Sequence, residues 1–309
     1  MNTRRQALTS IAATSAAMVL PIRGISKERN QNSSFRYCLN TSTISGQKPG
    51  IQRYVEITAD AGYQGIEVWV GDVKRYVDDG NSLDALRNLI ESKGIKVENA
   101  IGFAPWLAQG EEGKQAGFKQ MREEMLLLKE IGGTRIAAAP AGLSGDKPLD
   151  LAEAGKRYGE LLELGRETGV MPQLEFWGSS PVLYHMGQVL MMAAFANDPD
   201  TRLLPDIYHL FRGGSGFESL KMLNGNLIEV FHMNDFPGTK PREQQKDADR
   251  IYPGDGAAPV KQVLSELKAC GGTTVLSLEL FNREYWKEDP LTVASTGLQK
   301  MKDAVALVE

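Results

Sequence analysis

The chain has 309 residues, 42% hydrophobic and 24% charged, the balance of an ordinary globular protein rather than a disordered one. Its formal net charge is −4; residues 1–30 hold five basic residues and one acidic, so the rest carries 30 basic and 38 acidic residues, or −8. An acidic body without a basic stripe is a poor partner for a phosphate backbone, which argues against nucleic acid, and no run after residue 30 approaches the roughly 20 apolar residues of a membrane span.

The chain opens Thr3-Arg4-Arg5-Gln6-Ala7-Leu8, continues with a mildly apolar run over 11–20, and turns polar over 26–34. A charged start, a short apolar core and a polar exit predict a signal segment over 1–30, and the adjacent arginines point to twin-arginine export to the periplasm. One domain is then expected over 31–309.

From residue 35 onward, short apolar runs alternate with longer amphipathic ones, the sign of parallel strand–helix units. Strands are predicted at 35–40, 65–69, 97–102, 135–139, 171–177, 202–205, 227–232 and 275–280, the sixth having the weakest signal. Helical periodicity is clearest over 51–61, 83–93, 117–131, 149–168 and 260–269. Gly62, Gly94, Gly132, Gly169 and Gly271 each stand where a helix should stop before the next strand. Eight such units predict a closed (β/α)8 TIM barrel, an α/β fold that takes about 250 residues. The absence of Gly-x-Gly-x-x-Gly after the first strand argues against a dinucleotide fold, and neither a Gly-x-Ser-x-Gly elbow nor a Walker-type loop is present. Cys38 and Cys270 have no metal-type spacing and read as free thiols.

In a barrel, chemistry gathers where strands give way to loops. The last four strand ends read Leu174-Glu175-Phe176-Trp177, Leu204-Pro205-Asp206, Val230-Phe231-His232 and Leu278-Glu279-Leu280. Each sets one ionisable group among apolar neighbours, which is costly unless that group is paired or bound to a metal. Three carboxylates and an imidazole suit a divalent ion such as Mn2+, Mg2+, Co2+ or Zn2+. The chain has three histidines, His185, His209 and His232, and two of them fall in this region. His185 reads as structural, inside a helix.

The series Glu175, Asp206, His232 and Glu279, with Asp206-Ile-Tyr-His209, resembles the xylose isomerase-like barrel superfamily of sugar isomerases and epimerases. Within it, His232-Met-Asn-Asp235, Asp249-Arg250-Ile-Tyr-Pro253-Gly254-Asp-Gly256 and Leu278-Glu279-Leu-Phe281-Asn-Arg-Glu-Tyr285 resemble the inosose isomerase group and its hydroxypyruvate isomerase and ketose 3-epimerase relatives. By that resemblance Glu175, Asp206, His232 and Glu279 hold the metal, while His209 and Arg250 contact substrate oxygens or steady a carboxylate. Trp106 and Trp177 are candidate walls against the apolar face of a sugar, with core packing as the alternative for both. Glu67, near the end of the second strand, is a weaker candidate for the substrate site, with ion pairing as its alternative.

The implied chemistry is proton transfer beside the carbonyl of a sugar, keto-sugar or cyclitol, through a metal-stabilised enediolate with Glu175 and Glu279 as base and acid. The export address sets the chain apart from cytoplasmic relatives and favours an extracellular sugar or oxidised glycoside. A keto-glycoside lyase working by β-elimination on the same metal is the alternative. A catalytically silent carbohydrate-binding barrel and a nuclease of the related abasic-site type rank below it, the latter because three histidines are too few for a multi-zinc cluster. A homo-oligomer is compatible with the sequence.

Overall fold

The computed structural model describes residues 34–143 and 145–309, and the predicted 1–30 segment lies outside the described residues. Seven strands form regular ladders: β1 (Phe35–Asn40), β2 (Gly65–Trp69), β3 (Lys96–Ile101), β4 (Arg135–Ala138), β5 (Met171–Leu174), β6 (Val230–Met233) and β7 (Thr274–Leu278). All of their pairings are parallel, in the orders β3-β2-β1-β7-β6 and β4-β5. The predicted sixth strand survives as an extended segment. Leu203 bridges Leu174 on one side and Ile228 on the other, and Asp206 bridges His232. Pro205 has no N–H to give a ladder, though its carbonyl accepts from His232 N at 2.9 Å. The segment thus joins β5 to β6, and the architecture is the TIM barrel expected from the sequence.

Nine helices surround the strands: α1 (Ile51–Ala61), α2 (Val70–Asp78), α3 (Leu83–Ser92), α4 (Gly110–Glu130), α5 (Leu151–Thr168), α6 (Met186–Ala196), α7 (Ile207–Arg212), α8 (Val260–Cys270) and α9 (Pro290–Val305), counted among the described residues. The five predicted glycine stops all have positive φ, between 67° and 91°, where a side chain would be strained. His185 does not lie inside a helix. It caps α6, its Nδ1 accepting from Gly187 N at 3.0 Å. Cys38 and Cys270 are free thiols. No described helix is long and apolar enough to cross a membrane.

At the N-terminal ends of the strands, arginines and glutamates pair across the staves. Arg36 binds Glu98 (2.9 Å), Arg135 reaches both Glu98 (3.4 Å) and Glu229, and Arg202 closes on Glu229 at 2.8 Å. No backbone ladder joins β3 to β4 among the described residues. Arg135 spans that seam, its Nη1 also donating to the Glu98 carbonyl at 3.1 Å.

Candidate metal centre and active site

At the opposite ends of the strands the register stacks polar side chains in one layer. Asn40 pairs with Glu67, Glu67 with Asn99, and His232 with Ser277. A bulge after Ile66 skips Glu98 and brings Asn99 level with Glu67, the re-aiming that bulges allow. All five of these side chains are buried.

Beside this layer Asp206, His232 and Glu279 converge, with one potential ligand atom from each lying within 4.8 Å of the others. His232 Nδ1 lies 3.3 Å from Glu279 Oε2 and 3.6 Å from Asp206 Oδ2. It is buried yet has no aligned hydrogen-bond partner. Burial opposes a charge on this ring, but the Glu279 and Glu67 carboxylates outweigh it and hold the imidazole pKa well above its ordinary value. Whatever occupies Nδ1, a proton or a cation, sits between two carboxylates. A divalent metal ion fits this donor set of two hard oxygens and an imidazole.

Asp206 does double work. It caps α7 by accepting from His209 N at 2.8 Å, and its other oxygen accepts from Asn234 Nδ2 at 3.0 Å. Arg250, only 1% exposed, donates from Nη1 to Asp206 (2.9 Å) and Glu279 (2.7 Å), and from Nη2 to Asp247 (2.8 Å). Its guanidinium also stacks 4.7 Å over the Tyr208 ring. Burial works against that charge, but Asp206, Asp247 and Glu279 raise the Arg250 pKa further.

The turn after Arg250 is held by Asp235, which accepts from the N–H groups of Gly254, Gly256 and Ala258 at 2.8–3.0 Å. A Cβ on Gly256 would lie 2.3 Å from Asp235 Oδ1, so the turn closes only on glycine. His209 is buried, and burial lowers its pKa to about 4, leaving it neutral. Gly178 N faces its Nδ1 and Arg250 Nη2 faces its Nε2, each at 3.2 Å; a neutral ring accepts only one of them.

Glu175 follows β5 and is not part of the converging triad, but it lines the same cavity as Glu279, His209 and Arg250. Its Oε2 is buried without a partner. Burial pushes its pKa up to about 8; His232 pulls the other way, and Glu279, Asp206 and Glu67 add to the rise. Burial would also raise Glu279, but His232 and Arg250 prevail and hold it far below the usual carboxylate range. Two glutamates on one cavity are therefore shifted in opposite directions.

The cavity measures about 360 Å³ and its walls are aromatic: Trp69, Phe103, Trp177, Phe281 and Trp286. Trp69 lies 5.4 Å from Phe103 and 6.0 Å from Phe281, and Phe103 lies 6.1 Å from Trp177, centroid to centroid. Of the two tryptophans named from the sequence, Trp177 lines this cavity. Trp106 does not. It is fully buried, its Nε1 donates to the Ala139 carbonyl at 2.8 Å, and its ring packs near Tyr158. Phe103, 44% exposed, takes the wall position from that stretch. Glu67 also stays off the cavity lining, buried behind His232. Asn40, Asn99, Asn234 and Ser277, which support the triad, were not anticipated from the sequence.

The sequence profile of the xylose isomerase-like TIM barrel matches residues 55–304. The chain belongs to that family. It is 27% identical over 260 residues to the inosose isomerase of Bacillus velezensis, covering 82% of this chain and 90% of the relative. Among solved structures it is similar to the IOLI protein with a bound zinc atom, with 26% identity, a TM-score of 0.80, and coverage of 89% of this chain and 99% of that one. An L-ribulose 3-epimerase shares the fold at 16% identity and a TM-score of 0.70, over 88% and 95% of the two chains. The chain is an enzyme of the isomerase class.

Twin-arginine export to the periplasm is not upheld. Three of the inosose isomerases found align with 82% of the chain and lend export no support, and the segment on which it rested lies outside the described residues. The preference for extracellular sugars goes with it.

Proposed function

We propose that the protein is a metal-dependent sugar or cyclitol isomerase or epimerase in which Glu175 and Glu279 exchange a carbon-bound proton beside a carbonyl. The observation that carries this reading is spatial. Glu279, which converges with the buried Asp206 and His232, lines a small aromatic-walled cavity that Glu175 also lines. Asp206, His232 and Glu279 would hold the ion, with the unpartnered Glu175 Oε2 available as a fourth ligand. When bound, a divalent ion supplies Lewis-acid polarisation of the substrate carbonyl, acidifying the adjacent C–H.

The side chains do the rest. Glu175 and Glu279, reaching in from different staves, serve as base and acid at the reacting carbon. Use of both faces of that carbon inverts a centre, whereas passing the proton between neighbouring carbons isomerises. Arg250 and His209 orient substrate oxygens, and the aromatic walls cover the apolar face of the ring and exclude water. The inosose isomerase relatives make an inosose the first substrate to try. Protein loaded with Mn2+ or Zn2+ and incubated with inososes and ketoses in D2O should place deuterium on the carbon beside the carbonyl, and a strong chelator should lower that rate at least a hundredfold. Full exchange in the chelator would overturn the reading, and release of an aglycone from a keto-glycoside without exchange would put elimination in its place.

The two tryptophans separate wall from core. Trp177→Ala should raise KM about tenfold, roughly 1.4 kcal/mol of lost binding, with little change in urea stability. Trp106→Ala should instead cost about 3–5 kcal/mol of stability, as large core truncations do. Equal effects of both on KM and stability would refute this division.

A further inference from the structure

Glu67 is a fully buried carboxylate that the proton transfer does not use. Its Oε1 accepts from Asn99 Nδ2 (2.7 Å) and meets His232 Nε2 at 3.0 Å. Its Oε2 accepts from Asn40 Nδ2 (2.8 Å) and the Ser277 hydroxyl. The donors come from β1, β3, β6 and β7, so four staves converge on one side chain. An ionised carboxylate only accepts, and two amide groups and a hydroxyl fill its other positions. The nitrogen of His232 that faces it is placed to donate as the fourth of these groups. That leaves Nδ1, on the far side of the ring, for Asp206 and Glu279.

We infer that Glu67 is a positioning residue that commits His232 to hold the metal through Nδ1, by fixing the N–H on Nε2. This rests on the metal-dependent reading above. A carboxylate behind a ligating histidine fixes its tautomer and ring orientation and makes the ring a better donor, and loss of such a partner weakens metal binding about 10- to 100-fold. The same network reaches further. Asn40 Nδ2 also donates to Glu279 Oε1 at 3.1 Å, and Asn40 Oδ1 accepts from Trp69 Nε1 at 3.0 Å. One buried layer therefore aligns two of the three converging side chains and one aromatic wall.

Two measurements test this, neither relying on turnover. Zinc affinity, by competition with a chromophoric chelator, should fall about 10- to 100-fold in Glu67→Gln and stay within twofold of wild type in Glu98→Gln. Glu98 is a buried carboxylate at the other end of the barrel, and that variant controls for general loosening. In the zinc-loaded wild-type protein, nitrogen-15 long-range correlation spectra of the three histidine rings should show one with a protonated Nε2 and a zinc-shifted Nδ1. A zinc-shifted Nε2 on His232, or an unchanged affinity in Glu67→Gln, would overturn the inference. The spectrum decides on its own if the variant fails to fold. Wild-type protein that binds no zinc at all would sink the metal-dependent reading as well.

Discussion

Glu279→Gln should lower turnover at least a thousandfold, about 4 kcal/mol of transition-state stabilisation, while the protein stays folded. The side chain meets Arg250 Nη1 at 2.7 Å, Asn40 Nδ2 at 3.1 Å and His232 Nδ1 at 3.3 Å. Glutamine keeps the volume but removes the charge, and with it one ligand for a cation and one proton-transfer group. The fold tolerates the change because Arg250 keeps Asp206 and Asp247 as partners. Deuterium exchange into substrate gives the rate, and urea unfolding of the metal-free variant gives the stability. A rate within tenfold of wild type would remove Glu279 from the mechanism.

Arg250→Met acts on stability first. In the metal-free protein the guanidinium is a cation that Asp206 and Glu279 share. Taking one partner away from buried charges costs about 3–5 kcal/mol, because His232 is then left as the one cation beside both carboxylates. A divalent ion can supply the missing charge, and at a hundred times its Kd it contributes about 2.7 kcal/mol to folding. In the wild type the ion has to compete with Arg250 for the same oxygens. Added Zn2+ or Mn2+ should therefore raise the melting temperature more in the variant than in the wild type. Equal or smaller metal stabilisation in the variant would show that Arg250 and the ion do not contend for these carboxylates. Arg250→Lys should recover only part of the loss, since a point charge cannot reach Asp206, Glu279 and Asp247 at once as the planar fork does.

The parts of this molecule legible in the sequence are those where burial is costly. Asp206, His232 and Glu279 each interrupt an apolar run, and such an interruption is a strong signal. Asn40, Asn99 and Ser277 interrupt nothing so expensive, and their roles lie in bonds to residues far away in the chain, such as the Ser277–Glu67 contact across 210 positions. Helix stops were readable because glycine at positive φ has a local cause. The sixth strand was faint because it is short and ends at Pro205, and the structure keeps it as isolated bridges rather than a ladder. Trp106 was harder to assign, and Phe103 was not singled out. They lie past the end of β3, where the two-residue alternation that tells inside from outside no longer applies.

Among the described residues, no backbone ladder closes the barrel between β3 and β4. Followed around the hoop from that gap, the staves run β3, β2, β1, β7, β6, the 202–205 segment, β5 and β4. Glu279 and His232 stand on or just beyond the two in the middle of that sequence, and Asp206 just beyond the next. Phe103 and the first part of α4 follow the stave at the gap, so that piece of the aromatic wall and the three converging side chains rest on different parts of the hoop.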